Sequence, residues 1–307
     1  MIGNMFQFAW EVKLIEWCQS NIPSFLINIL SFISNVGDTV ILVGILAFFY
    51  LCFDKKLGRK LLFNTITSLM FACELKNIFK RRRPYFDNKN IKCLKVVEKD
   101  YDMFDIRKQG FSFPSLHSSN ITVITGTIYQ FYKKHYLLTS AIVFSMIVGV
   151  SRFILGCHYP TDVLTGMVIG IISIVIIGRL QDKLDTKYLY IIMLIMMAIG
   201  FTYCESADYY STCGIALGFI GADIIDHKYN NFENTRNIIR IVARLVFACV
   251  VFLAISEGLK IPFSEDVLEA NTLFAHAYRT LRYGIASFVA LGITPLIYKR
   301  NIFNINA

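Results

Sequence analysis

Apolar residues in this sequence come in long blocks separated by short polar connections, and that spacing constrains the fold more than any other feature. Thr39 to Phe53, Tyr188 to Gly200 and Ile241 to Ile255 are examples. A helix that crosses a membrane needs about 20 mostly apolar residues, and several blocks approach that length. A water-soluble helix keeps a polar face, and Val163 to Gly178 has none. Only 17% of the 307 residues are charged, while 55% are hydrophobic; soluble domains average about 25% charged. The expectation is an all-α integral membrane protein, a bundle of about nine membrane-spanning helices. The expected spans lie near 38–53, 61–79, 115–132, 136–154, 162–180, 187–203, 209–226, 238–256 and 282–298.

Ahead of these spans, residues 4–19 read as an amphipathic helix. Phe6, Trp10, Leu14 and Trp17 fall on one side, with Glu11, Lys13 and Glu16 elsewhere on the wheel. Paired Trp residues suit a membrane interface. Three regions follow: an interfacial segment over 1–36, a core over 37–182, and further membrane helices of unassigned role over 183–307. No cleavable signal peptide is expected, because residues 1–20 carry acids and polar groups where an apolar core would sit.

The net charge is +9. In a soluble chain it would suggest nucleic acid; here it fits the Lys and Arg that cytoplasmic loops collect. Basic residues mark alternate loops: Lys55 to Lys60, Lys133-Lys134, Arg179 to Lys187, Lys228 to Arg236, and Lys299-Arg300. The connections near Cys157–Asp162 and Cys204–Asp208 carry none. The C-terminus is therefore expected inside and the N-terminus outside. Residues 80–114 break the pattern, being rich in Lys and Arg on the outer side. Lys80, Arg81 and Arg82 read either as a solvated basic stretch or as a lure for anionic headgroups. Asp223, Asp226 and Arg244 are expected to pair among the last four spans. His135, His227 and His276 are expected to be solvated, and the eight cysteines to be small apolar fillers.

Three short segments concentrate the polar residues a phosphoryl-transfer site needs. Lys76 and Arg83 are seven residues apart, about two helical turns, and Arg suits phosphate through its planar fork. Pro114-Ser115-Leu116-His117 precedes an apolar helical run, so Ser115 and His117 are expected in a first turn, where free N–H groups and the helix dipole favour anions. Ser151-Arg152, His158 and Asp162 flank a short connection, with Asp162 in reach of His158 as an orienting carboxylate. All three segments fall on the predicted outer face, at the ends of the early helices.

Lys76-x6-Arg83-Pro84, Pro114-Ser115-Leu116-His117 and Ser151-Arg152-x5-His158-x3-Asp162 resemble the signature motifs of the type 2 phosphatidic acid phosphatase superfamily, which includes glucose-6-phosphatase and vanadium haloperoxidases. The resemblance covers residues 38–180. It implies that His158 attacks phosphorus to form a phosphohistidine, that Asp162 orients it, and that His117 protonates the leaving oxygen and then activates water. It implies that Lys76, Arg83, Arg152 and Ser115, with the N–H near Leu116, bind the phosphoryl oxygens. No cofactor or metal is implied. Leu116 stands where the family usually has Gly, which raises the question of a positive φ there. The expected partners are a lipid phosphate and the bilayer, in a bacterial plasma membrane with the site on the extracytoplasmic face. A phosphotransferase with the same residues, and a transporter or scaffold that retains the fold, are the alternatives.

Overall fold

The computed structural model describes residues 6–96, 101–230 and 232–299. Every regular element among the described residues is helical. In chain order these are α1 (Ala9–Asn21), α2 (Ser24–Ser34), α3 (Thr39–Phe48), α4 (Lys55–Phe79), α5 (Pro84–Asp87), α6 (Ile106–Gln109), α7 (Leu116–Tyr132), α8 (His135–Ile154), α9 (Pro160–Lys183), α10 (Thr186–Gly200), α11 (Ala207–Ile225), α12 (Ile238–Gly258), α13 (Glu265–Leu268), α14 (Leu273–Phe288) and α15 (Thr294–Lys299). Wider, π-helical turns continue α3 over Phe49–Phe53, α11 over Asp226–Asn230 and α14 over Val289–Ile293.

Each of the expected spans is occupied by a helix, but the count of nine is not reproduced. Four helices are each long and apolar enough to cross a membrane: His135–Ile154, Pro160–Lys183, Ile238–Gly258 and Leu273–Ile297. A fifth candidate joins Ser24–Gly37 to Ile41–Phe53 through a 52° bend. That pairing takes in residues 22–36, which the sequence reading set apart from the first span. The last span begins at Leu273, nine residues before the expected 282. Polar residues in its first three turns hid it: His276, Arg279 and Arg282 interrupt the apolar run. The chain is an integral membrane protein.

Large apolar side chains on α8, α9 and α12 point outward, among them Ile142, Phe144, Ile171, Ile176, Val246 and Val250. That inverted surface is what helices facing lipid require. The interior is stitched by small polar groups. Asn64 donates to Thr127, Thr67 meets Ser173, and Ser68 meets Ser119, all buried. These bonds join α4 to α7 and α9, in keeping with membrane interfaces held by Ser, Thr and Asn.

One expected pairing is corrected. Asp223 and Asp226 take their lysine and arginine partners from α4 and not from Arg244, although Asp223 also accepts from Tyr190 of α10. Asp223 accepts from Arg59 at 2.7 Å and from Tyr190 at 2.6 Å, and Asp226 lies 2.8 Å from Lys55. Both carboxylates thus reach back to the start of α4. Arg244 instead donates to the carbonyls of Leu51 and Glu233. His276 is only partly solvated: it stacks on Tyr210 at 4.0 Å.

Candidate active site

The ends of α4, α7, α8 and α9 meet on one side of the bundle, opposite the Arg59 and Lys55 pairs. The last turn of α4 carries Lys76, which is 4% exposed and makes no hydrogen bond or ion pair among the described residues. Lys80 then adopts a left-handed conformation, φ 43°. This ends the helix and turns the Arg81–Arg83 run over the site. Arg83, also buried, donates to the carbonyls of Gln109, Gly110 and Cys157. Its guanidinium is therefore held rigidly by backbone, not by a carboxylate.

Ser115 caps α7, its Oγ accepting from the N–H of Ser118 at 3.4 Å and the Ser118 hydroxyl at 3.0 Å. Pro114 lies before the cap, two residues ahead of the first helical residue. Leu116 is the first helical residue, and its φ is not positive. Its side chain packs on the main apolar cluster. A Leu there carries no backbone strain, and its N–H is one of the unpaired donors of the first turn.

Arg152 sits in the last turn of α8, where the helix dipole favours a cation. It donates to Ser34 Oγ at 2.6 Å, and its Nε is buried without a partner. The connection to α9 doubles back through Gly156, φ 76°, where a Cβ would lie 2.3 Å from the Lys92 carbonyl. Only glycine fits both the left-handed backbone and that approach. The turn delivers His158 into the site at 2% exposure.

His158 Nδ1 lies 2.7 Å from the carbonyl oxygen of Ser112. A carbonyl only accepts, so Nδ1 bears the hydrogen and Nε2 keeps its lone pair. Asp162 Oδ2 is 3.7 Å from Nδ1 and accepts instead from the N–H of Tyr159 at 2.7 Å. The close orienting partner of His158 is thus a main-chain carbonyl, with the carboxylate one step behind. Burial holds the imidazole well below its ordinary value of 6.5, and the charges of Arg83, Arg152 and Lys76 push in the same direction.

His117 lies in the first turn of α7, and its Nε2 is 2.7 Å from Asp38 Oδ1. Asp38 also meets Lys95 at 3.3 Å. Gly37 makes room for this pair, since a Cβ there would lie 2.7 Å from His117 Cδ2.

The structure therefore brings Lys76, Arg83, Ser115, His117, Arg152, His158 and Asp162 to one place. It adds residues that the sequence reading missed. Asp38 lies outside the three motif segments, and the Ser112 carbonyl leaves no trace in side-chain identity. Two corrections concern charge. Arg81 is neither solvated nor available to headgroups: it is fully buried between Glu11 and Asp162, 2.6 Å from each. Glu11, placed on the polar side of the first helix, is equally buried. Among the described residues no group of three or more His, Cys, Asp or Glu is placed to hold a metal ion.

A helical membrane bundle with a buried, cation-ringed imidazole defines a phosphoryl-transfer class of site. Residues 57–185 match the PAP2 superfamily, and residues 210–304 match the transmembrane extension of PAP2 superfamily phosphatases. The chain belongs to the PAP2 superfamily. It is similar to phosphatidylglycerophosphatase B of Bacillus subtilis (strain 168), 33% identical over 88 residues, 26% of this chain and 43% of that protein. It is also similar to the bacitracin transport permease protein BcrC of Bacillus licheniformis, 38% identical over 74 residues, 24% of this chain and 36% of that one. The match spans less than half the length of either relative. No solved structure matches the chain.

Proposed function

We propose that this protein is a phosphatase that removes phosphate from a lipid phosphomonoester or diphosphate through a phosphohistidine at His158. The observation that carries the reading is the tautomer of His158. With Nδ1–H tied to the Ser112 carbonyl, a neutral Nε2 lone pair is left for phosphorus. In the first step an Nε2–P bond forms and the P–O ester bond breaks. His117 gives the leaving oxygen its proton, and Asp38 stabilises His117 in its charged state. In the second step water attacks phosphorus, His117 takes a proton from it, and the P–N electrons return to Nε2. Lys76, Arg83 and Arg152, with the Leu116 N–H and the Ser115 hydroxyl, hold the phosphoryl oxygens; such positioning and charge stabilisation do most of the work in phosphoryl transfer.

A lipid substrate follows from placement: the site lies at the ends of membrane helices, where headgroups sit. Among lipid phosphates, phosphatidylglycerol phosphate is favoured by the name of one relative. The alternation of basic loops supports an extracytoplasmic site in a bacterial plasma membrane. Residues 37–182 would form the phosphatase unit, with residues 1–36 as its interfacial segment.

The test is phosphate release by the purified, detergent-solubilised protein from phosphatidylglycerol phosphate, phosphatidic acid, a polyprenyl diphosphate and a sphingoid phosphate. Release from at least one, with none from His158→Ala, is expected. Equal release by His158→Ala would refute the mechanism, and release from soluble sugar phosphates alone would refute the lipid assignment.

A further inference from the structure

The basic run that opens the 80–114 connection contains a buried cation at an unspecified position of the first signature segment, between Lys76 and Arg83. Arg81 is completely enclosed, its guanidinium lying over the rings of Tyr159 at 3.8 Å and Phe6 at 4.2 Å. One arm, Nη1, donates to Asp162 Oδ1 at 2.6 Å and to Thr161 Oγ1 at 2.8 Å. The other, Nη2, donates to Glu11 Oε2 at 2.6 Å. Glu11 Oε1 in turn accepts from the Thr161 hydroxyl at 2.6 Å and its N–H at 3.0 Å. Glu11, Arg81 and Asp162 are each 0% exposed.

Two carboxylates and one guanidinium enclosed in this way carry a large desolvation cost, offset only by near-ideal geometry. Asp162 alone would need one cation. The second carboxylate comes from α1, the helix whose other side exposes Trp10 and Trp17. It does more than balance charge: it clamps Thr161, the residue between Pro160 and Asp162. The peptide that carries His158 is thus gripped at Asp162 by Arg81 and at Thr161 by Glu11.

We infer that Arg81 and Glu11 are positioning residues for the nucleophile, acting through Asp162 and Thr161, and that α1 is thereby part of the catalytic apparatus. This rests on the reading of His158 as the nucleophile. Arg81 fixes which way the Asp162 carboxylate faces, so that Oδ2 stays on the Tyr159 N–H and beside His158. Glu11 fixes Arg81. Neither touches the space where phosphate would lie, so their loss slows phosphoryl transfer more than it weakens binding.

The experiment compares Arg81→Gln, Arg81→Lys, Glu11→Gln and the Arg81→Gln/Glu11→Gln double variant with the wild-type chain, full length in detergent. Melting temperature, KM, kcat and the rate of phosphohistidine formation are read for each. Arg81→Gln is expected to lower kcat by roughly ten- to a hundredfold at nearly unchanged KM, the range typical of losing an outer partner of a reactive group. It should also lower the melting temperature, because two carboxylates are left facing each other. Glu11→Gln added to it should recover part of the melting temperature, since one unpaired carboxylate remains in place of two, and leave kcat low, a split that a purely structural role does not produce. Arg81→Lys should recover part of kcat. Recovery of kcat in step with melting temperature would overturn the inference, as would wild-type kcat in Arg81→Gln. Activity surviving in His158→Ala would instead overturn the underlying mechanism.

Discussion

At the scale of single residues, the site works by denying water to groups that would otherwise be protonated or solvated. His158 is the clearest case. Burial and three neighbouring cations hold it neutral below 6.5, whereas the unfolded chain protonates it near that value. The unfolded state therefore binds more protons below about 6.5, and the contribution of this residue to stability is lost as pH falls through that value. Above it the contribution is constant. In 15N-histidine NMR, with His158→Asn to assign the signal, His158 should stay in the Nδ1–H neutral form at pH 6. A ring protonated on both nitrogens at that pH would contradict the lowering by burial and the three cations, and a hydrogen on Nε2 alone would contradict the geometry. Side-chain identity alone brought His158, His117 and the three cations forward as candidates, because phosphate chemistry suits those types at those spacings. It did not locate Ser112, whose part is played by a backbone oxygen. It misjudged Arg81, because an Arg among Lys80 and Arg82 looks solvated until a partner from elsewhere in the chain is seen.

At the scale of elements, helix ends carry the chemistry. α4 and α8 contribute cations from their C-terminal turns, while α7 and α9 contribute N-termini with free N–H groups and a capping carboxylate. These boundaries were legible, since Ser115 and the apolar runs mark them. The bent α2–α3 pair was not: Gly37 and Asp38 lie outside the motif segments, yet they bring a carboxylate to His117. Gly37→Ala tests this. Its Cβ would push on the imidazole from 2.7 Å, so kcat should fall at least tenfold while detergent extraction and the helical circular-dichroism signal stay normal. Wild-type kcat in this variant would show that the His117–Asp38 contact is not needed. Overpacking of this kind costs about 1–3 kcal/mol, which a large helical bundle tolerates.

At the scale of the whole molecule, two part-buried ion pairs join the first turns of α4 to the transmembrane extension at the end opposite the site. Arg59 meets Asp223, which is 0% exposed, and Lys55 meets Asp226. Removing one member of such a pair leaves an uncompensated charge, at a cost of about 3–5 kcal/mol. Arg59→Leu should therefore lower the melting temperature sharply, while Arg59→Leu/Asp223→Leu recovers most of it. A single variant as stable as the parent would show that the two regions are held by apolar packing alone. Sequence spacing revealed that Asp223 and Asp226 share a face, one turn apart. It could not reveal that their partners lie in the basic loop before α4, because that loop already had an adequate explanation as a topology signal.

The same pairs bear on how the chain is made. Arg59 and Asp223 are 164 residues apart, so α4 must wait in the bilayer until α11 has been synthesised and inserted. During that interval the guanidinium has no built-in counter-charge, and Asp223 will meet the membrane as a lone carboxylate until it finds α4. A ribosome stalled before residue 223 would leave a nascent chain that holds every site residue but lacks its inner fastening. The extension is in this sense a closing act of biogenesis: the last region made decides when the PAP2 region before it is finished.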